Sequence, residues 1–156
     1  MPSQPDIAYD LGIILPPKDR SLMPKSRKSA KPKAGWGTRI DIKQYSINEF
    51  FKRRGYELRE KYYSAKRFKS EEQLADFLRE NLKKQNDLLI CFNYPLLYKQ
   101  KGSWGHASLV EAVQKRYVAL RDPSPKYKKA LKVLLEDLIM AMYNHYKGGA
   151  WVISNK

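Results

Sequence analysis

The segment DLLICFNY, residues 87–94, is the strongest single indicator of the fold, because the apolar run LLICF lies in it between the polar residues Asp87 and Asn93. A continuous apolar run of this length predicts a strand that is covered on both faces, in the middle of a core. The surrounding chain of 156 residues is long enough for one ordinary domain with a single core. Its composition, 42% hydrophobic and 12% aromatic, is typical of a globular protein and excludes a disordered one.

Downstream of this segment the pattern predicts further strands and one helix. After a loop that contains Pro95 and Gly102, the segments HASLVEAV and RYVAL predict two strands joined tightly near Lys115. Leucines at helical spacing predict a last helix over about 131–146, and AWVIS, residues 150–154, predicts a final strand.

Upstream, three helices and one strand are predicted. Ser46 followed by Glu49 forms a capping-box pattern that begins a short helix, and Gly55 ends it. Ser70 begins the amphipathic helix SEEQLADFLRENLKK. A strand over 56–63 and a helix over 5–11 complete the set, with Ser3 near the cap of that first helix and Gly12 at its end. We therefore predict an α+β fold, in which helices pack against a mostly antiparallel sheet.

Residues 15–37 are rich in Pro, Ser, Lys and Gly, which favours an irregular chain over helix or sheet. We expect residues 1–45 to form a short helix and a basic, irregular N-terminal region. Residues 46–156 are then the folded α+β domain. A connection as long as 15–37 is usually functional or mobile.

The net charge of +15 is concentrated in three windows, residues 18–33, 52–69 and 115–132, each of which carries a net +6. The rest of the chain sums to −3. Because the second window interleaves bases with aromatics, as in KRRGYELREKYYSAKRFK, one interpretation is a nucleic-acid-binding module that neutralises phosphates and stacks bases. The other is that the bases only keep the protein soluble. The third window lies beside Asp122 and favours an acidic substrate there.

Several classes are excluded at the sequence level. No apolar run approaches the ~20 residues of a membrane span, so we expect no membrane partner. The N-terminal stretch has neither the basic start nor the apolar segment of a secretory signal, which predicts a cytoplasmic protein. One cysteine cannot form an internal disulfide, and no Cys and His cluster has the spacing of a zinc site. We expect no metal and no cofactor.

A histidine and an aspartate stand out as candidate catalytic residues. His106 follows Gly105 at the start of a predicted strand, and Asp122 precedes Pro123 at the end of the next one. An Asp on a neighbouring strand can accept the ring N–H of a His and hold its tautomer. The alternatives are a hydrogen-bonded structural histidine and a turn-forming Asp-Pro. A glycine before the His lets another stretch of chain approach closely.

The hairpin between these two residues sets a geometric condition. A two-residue turn at Lys115-Arg116 pairs position 109 with 122, which leaves His106 on the opposite face from Asp122. A three-residue loop or a bulge instead places position 108 opposite 122, with His106 on the same face. A hydrogen-bonded pair of His106 and Asp122, called the dyad below, therefore requires one of these irregularities.

Four other residues are site candidates by type or position, namely Cys91, His145, Trp36 and Trp104. Cys91 lies inside LLICF, the most apolar stretch, and is predicted to be a buried, inert thiol and no nucleophile. His145 is predicted to be a cation near a helix C-terminus. Trp36 and Trp104 lie in glycine-flanked loops, which is compatible with a cleft or with loops anchored on the core.

The combination of DLLICFNYPLLY, GHASLVEAV, YVALRDPSP, a helix and a final strand resembles the C-terminal half of papain-like cysteine peptidases of the bacteriocin-processing (double-glycine) family. The resemblance covers about residues 46–154. Phytochelatin synthase, in the same clan, is similar to a lesser degree through residues 94–106 and GGAWVIS. The resemblance implies a papain-like half-fold, a peptide substrate, His106 as general base and Asp122 as the residue that orients it.

The sequence departs from that family at the nucleophile. The family places its Cys at the start of a helix well before the His, with a Gln just upstream, whereas here no Cys precedes Cys91 and none follows Gln4. We expect either that the missing helix is encoded upstream of Met1 or that a degenerate member keeps the fold as a binding scaffold. Because a triad without its nucleophile loses nearly all specific catalysis, we expect no peptidase activity from this chain alone. Thiol hydrolase or acyl transferase activity then requires a nucleophilic Cys supplied by a missing N-terminal segment.

Overall fold

A computed structural model describes residues 4–12, 40, 42–123 and 129–156. Its architecture is α+β, with helices packed against one six-stranded antiparallel sheet, as the sequence predicts. The chain forms two compact units, one made of described residues up to Arg59 together with Lys156, and the other of Glu60–Asn155. The domain boundary predicted between residues 45 and 46 stays a prediction.

The sheet has the strand order β1-β6-β2-β3-β4-β5. Its strands are β1 (Leu58–Ser64), β2 (Asp87–Asn93), β3 (Gly105–Gln114), β4 (Tyr117–Arg121), β5 (Leu131–Leu134) and β6 (Gly149–Asn155). The apolar segment 87–94 supplies β2, which pairs antiparallel with both β3 and β6. Its predicted inner position is therefore confirmed.

Five α-helices accompany the sheet in the described residues: α1 (Gln4–Asp10), α2 (Ile47–Arg53), α3 (Glu71–Lys83), α4 (Tyr94–Leu97) and α5 (Leu135–Tyr143). The predicted caps form. The Ser46 hydroxyl accepts from the Glu49 N–H at the start of α2, and the Ser70 hydroxyl accepts from the Gln73 N–H at the start of α3. Single 3₁₀ turns cover Lys43–Tyr45 and Ala65–Arg67.

The core of the larger unit lies between one face of the sheet and helices α3 and α5. Leu88, Ile90 and Phe92 alternate along β2 and are fully buried. Leu78 of α3 and Leu138 of α5 are fully buried in the same cluster. Burial of large apolar side chains of this kind contributes roughly 1.5–3 kcal/mol each, so this layer is the main source of stability.

The predicted helix over 131–146 is wrong in its first turn. Leu131–Leu134 forms β5 on β4, with Val133 opposite Val118, and the helix begins only at Leu135. Leucines at 131, 134, 135 and 138 mimic helical spacing. Strand pairing overrides that pattern, and the first helical turn carries Glu136 and Asp137, which suit a helix N-terminus.

The smaller unit contains α1 and α2. Asp10 at the end of α1 forms an ion pair with Arg54 at 2.5 Å, and the Arg53 guanidinium donates to the Asp10 carbonyl oxygen. Gly12 follows α1 with a positive φ of 67° and packs against the ring of Tyr45, so it ends the helix as predicted. Ser3 and the basic stretch 15–37 lie outside the described residues.

No helix within the described ranges is long and apolar enough to cross a membrane.

Candidate active site

A β-bulge in the β3–β4 hairpin places the two candidate residues on one face. A two-residue turn at Lys115-Arg116 pairs Gln114 with Tyr117, but the register shifts between Val110 and Ala112. Beyond the shift Leu109 pairs with Arg121, so position 108 lies opposite 122. His106, two residues further along β3, therefore lies on the same face as Asp122. The irregularity that the dyad requires is present, at Glu111.

The side chains of His106 and Asp122 form a hydrogen-bonded pair. The His106 Nε2 atom lies 2.8 Å from Asp122 Oδ2. The Asp122 side chain is 0% exposed, whereas the His106 side chain is 25% exposed. Because a buried carboxylate accepts hydrogen bonds, Nε2 carries the proton and donates. In the neutral ring the lone pair is then on Nδ1, so the bond to Asp122 fixes the tautomer that a general base needs.

Aromatic side chains surround the His106 ring. The rings of Phe92 and Tyr94 meet it edge-on, with centroids 5.9 and 5.0 Å away. Trp104 stacks on Tyr94 at 5.8 Å and an angle of 18°, and it is 48% exposed. Gly102, with a φ of 110°, packs directly against the Trp104 ring. The exposed indole of Trp104 is thus linked to His106 through Tyr94, and an apolar or aromatic group can stack on it.

Tyr94 is a site residue that sequence reasoning missed. The sequence pattern predicts a strand end and a loop at 94–97, whereas these residues form the short helix α4. The Asn93 side chain caps it by accepting from the Leu96 N–H at 3.1 Å. An Asn followed two residues later by Pro is a helix-start signal that favours this helix. The helix turns Tyr94 back toward β3.

Cys91 lies on the other face of the sheet. It pairs with Ala107 and with Gly149, whereas His106 pairs with its neighbour Phe92, and successive strand residues point to opposite faces. Cys91 is 8% exposed, and burial raises its pKa to about 11. The prediction of a buried thiol is confirmed, and a thiol that keeps its proton in this way is a poor nucleophile at neutral pH.

His145 is the partner of that thiol, which corrects the prediction of a helix C-terminal cation. Its Nδ1 atom lies 3.6 Å from Cys91 Sγ and accepts from the Lys147 N–H at 3.3 Å. Burial, followed by the nearby positive charge of Lys147, lowers the pKa of His145, so the ring favours the neutral form. The chain turns tightly after α5 and brings this ring over the end of the sheet.

Gly105 has a specific steric reason to be glycine. A Cβ atom at this position would overlap the imidazole ring of His145. The close approach expected beside His106 therefore exists, and the approaching group is the side chain of the second histidine. No local sequence signal indicates this contact, since the two residues are 40 positions apart.

Ser108 is a further polar residue on the face that carries His106 and Asp122. It is fully buried, opposite position 122 in register, and its hydroxyl makes no hydrogen bond within the described part of the chain. It is too enclosed to reach a substrate, and it does not replace the nucleophile. Trp36 lies outside the described residues, so its predicted place in the cleft stays a prediction.

The described residues contain no group of three or more His, Cys, Asp or Glu side chains that could hold a metal ion. What they do bring together is an oriented imidazole, a buried carboxylate and an exposed indole. No protein-family model matches the chain, and no curated protein sequence matches it significantly.

Proposed function

We propose that this chain is a cysteine-peptidase-like protein of papain-like architecture that carries the base half of an acyl-transfer site. In this proposal His106 is the general base, Asp122 orients it, and the chain itself does not supply the nucleophile. The observation that carries the proposal is the 2.8 Å pair between a part-exposed imidazole and a fully buried carboxylate. The resemblance of residues 46–154 to the bacteriocin-processing peptidases supports it.

The chemistry follows from the pair. A thiol that lies against Nδ1 of His106 transfers its proton to the ring and attacks an acyl carbon as a thiolate. The imidazolium is stabilised by the Asp122 carboxylate and then protonates the leaving group. Trp104, stacked on Tyr94, lies where it can hold the substrate side chain nearest the base. Cys91 takes no part, because it faces away and keeps its proton.

The test supplies the missing thiol from solution. With 2-mercaptoethanol as nucleophile and p-nitrophenyl acetate as acyl donor, we expect the wild-type chain to accelerate thiolysis and His106→Gln to lose at least about tenfold of that acceleration. Asp122→Asn should lose a comparable part, because the ring is no longer held in one tautomer. Without added thiol, we expect no peptide hydrolysis.

The second histidine is the matched control. His145→Gln removes one imidazole of the same chain but leaves the dyad intact, so its thiolysis rate should stay within twofold of wild type. Equal losses in the His106 and His145 variants would show only the nonspecific reactivity of imidazole and would refute the assignment.

A second candidate function is nucleic-acid binding, which an exposed basic patch favours. Lys61, Lys66, Arg67 and Lys69 are all exposed within one stretch of nine residues. Lys61 and Arg67 flank the ring of Tyr63 at 5.3 and 5.1 Å. Such a patch attracts phosphates without sequence preference.

Binding of a fluorescent single-stranded oligonucleotide tests this alternative. We expect Lys66→Glu/Arg67→Glu to weaken binding at 50 mM salt. A loss of all binding by ~200 mM salt, with no preference among sequences, would leave only nonspecific attraction and would remove this function.

The cytoplasmic location stays a prediction.

A further inference from the structure

A cleft of about 390 Å³ lies along β5, the strand at one edge of the sheet. Residues from both faces of this strand line it, namely Val133 on the core side and Lys132 on the other. Leu97 and Tyr98 at the end of α4 form an apolar wall, and Asp137 in the first turn of α5 and Tyr117 of β4 also line it. Because β4 occupies one edge of β5 and side chains from both faces of β5 line the cleft, the cleft includes the outer edge of this strand.

The backbone of β5 presents hydrogen-bonding groups to this cleft. The Leu135 N–H donates to the Arg116 carbonyl oxygen at 2.9 Å, which makes residues 116 and 135 a hydrogen-bonded pair of the β4–β5 ladder. Such pairs alternate along antiparallel strands, so Leu131 and Val133 bond to β4. The N–H and C=O of Lys132 and the N–H of Leu134 therefore point outward. In the described residues no further strand pairs with this edge.

The charges at the cleft indicate what else a ligand carries. Two charged side chains line it: Lys132 is exposed, whereas Asp137 is half-buried and forms no ion pair with another described residue. A carboxylate in that position favours a Lys or Arg side chain in the ligand. The wall formed by Leu97 and Tyr98 favours an apolar side chain.

We propose that the outer edge of β5 binds an extended peptide segment as an added strand. The peptide backbone pairs with Lys132 and Leu134, one apolar side chain packs against Leu97 and Tyr98, and a basic side chain lies against Asp137. Main-chain hydrogen bonds then supply affinity, and the wall and carboxylate supply selectivity. This inference goes beyond the proposed function, since binding at the edge holds whether or not His106 acts as a base.

The cleft nevertheless adjoins the dyad. Tyr98 lies 4.6 Å from Tyr94 between ring centroids, and Tyr94 contacts His106 at 5.0 Å. A peptide seated on β5 is thus separated from the dyad by the side chains of one short helix.

Amide hydrogen exchange of the full chain is the first test. We expect the Lys132 and Leu134 amides to exchange fast in the free protein, and the Val133 amide to be protected by β4. A protected Lys132 amide in the free protein would overturn the proposal, because the edge would not be open.

The second test selects peptides from a displayed library of random eight-residue sequences on the full chain. We expect the selected peptides to combine apolar residues with Lys or Arg and to protect the Lys132 and Leu134 amides when bound. Lys132→Pro removes the outward N–H at an edge position where proline is tolerated, and it should weaken the best peptide at least tenfold. Lys132→Thr, the matched control, keeps the N–H and should bind within threefold of wild type, and Asp137→Asn should weaken basic peptides severalfold.

The proposal would be overturned if no peptide is enriched, or if Lys132→Pro, shown by circular dichroism to be folded, binds the best peptide as well as wild type. It would also be overturned if analytical ultracentrifugation shows dimers that Lys132→Pro abolishes. The occupant of the edge would then be a second copy of this chain. None of these outcomes bears on the thiolysis measured for His106, so the two proposals fail separately.

Discussion

The two histidines of this chain lie on opposite faces of the same end of the sheet, and their environments differ. His106 donates to a fully buried carboxylate, and a quarter of its side chain is exposed. His145 accepts from a backbone N–H, lies against the Cys91 thiol, and covers Gly105. One ring is oriented by a charge, and the other fills a space and accepts hydrogen bonds.

A Cys next to a His is not by itself a catalytic pair. The Cys91–His145 contact has the residue types of a thiol peptidase, yet burial raises the pKa of the thiol and lowers that of the imidazole. Both shifts favour the neutral pair and oppose an ion pair of thiolate and imidazolium. At His106 the ring instead donates a hydrogen bond to a fully buried carboxylate, that of Asp122.

The two histidines should differ most in how much each contributes to the stability of the protein. His106→Ala removes the imidazole that hydrogen-bonds to the buried Asp122 carboxylate, so the free energy of unfolding should fall by about 3 kcal/mol. His145→Ala loses neutral contacts only and should cost about 1 kcal/mol. Urea denaturation at pH 7 measures both. In the His106→Ala background, Asp122→Asn should recover part of the loss, and equal costs for the two histidines would contradict the comparison.

The next-largest effect is the dependence of stability on the Cys91 thiol at alkaline pH. Since the native thiol has a pKa of about 11 against 9.0 for an ordinary thiol, the native state holds a proton that the unfolded state has lost between these values. Stability should therefore fall as pH rises from 9 to 11, by about 2–3 kcal/mol in total. Cys91→Ala should remove that part of the slope, measured as the difference between the two urea titrations. If the wild type and Cys91→Ala lose stability equally between pH 9 and 11, the fold does not keep the thiol protonated.

A double-mutant cycle tests the contact between the histidine and the glycine. Gly105→Ala places a methyl group in the His145 ring and should destabilise the protein by about 1–3 kcal/mol. In the His145→Ala background the same substitution should cost much less, so the two changes should be strongly non-additive. Thermal unfolding of the four proteins provides the cycle, and additive costs would contradict the packing of this ring on Gly105.

The smallest effect lies on the acid side. Because the pKa of His145 is lowered in the native state, its contribution to stability is present above pH 6.5 and is lost as pH falls through the native pKa. His145→Gln should flatten this part of the stability profile. A proton NMR titration should place the His145 midpoint below 6.5, and a midpoint above that value would refute the neutral ring.

Much of the fold could be predicted because its signals are local. The apolar run of β2 and the serine caps of α2 and α3 can each be recognised from a few neighbouring residues. The prediction is wrong for the first turn of the last helix, because the leucine spacing at 131–138 fits a helix. In the structure residues 131–134 pair with β4 as a strand. The acidic pair at 136–137 is the signal that marks the true helix start.

The site could be predicted in its residues but not in its geometry. His106 and Asp122 were named from their places at strand ends, together with the condition that an irregularity must bring them to one face. The bulge at Glu111 meets that condition, yet its position depends on packing across the sheet, which no local pattern reports. The contact of His145 with Cys91 spans 54 positions and depends on the tight turn after α5.

The most direct measurement is the protonation state of the His106 ring nitrogens by ¹⁵N NMR near pH 8. We expect Nε2 to carry the proton and Nδ1 to be unprotonated in the wild type, and Asp122→Asn to produce a mixture of tautomers. A proton on Nδ1, or a spectrum that Asp122→Asn leaves unchanged, would contradict the assignment of His106 as a base oriented by Asp122.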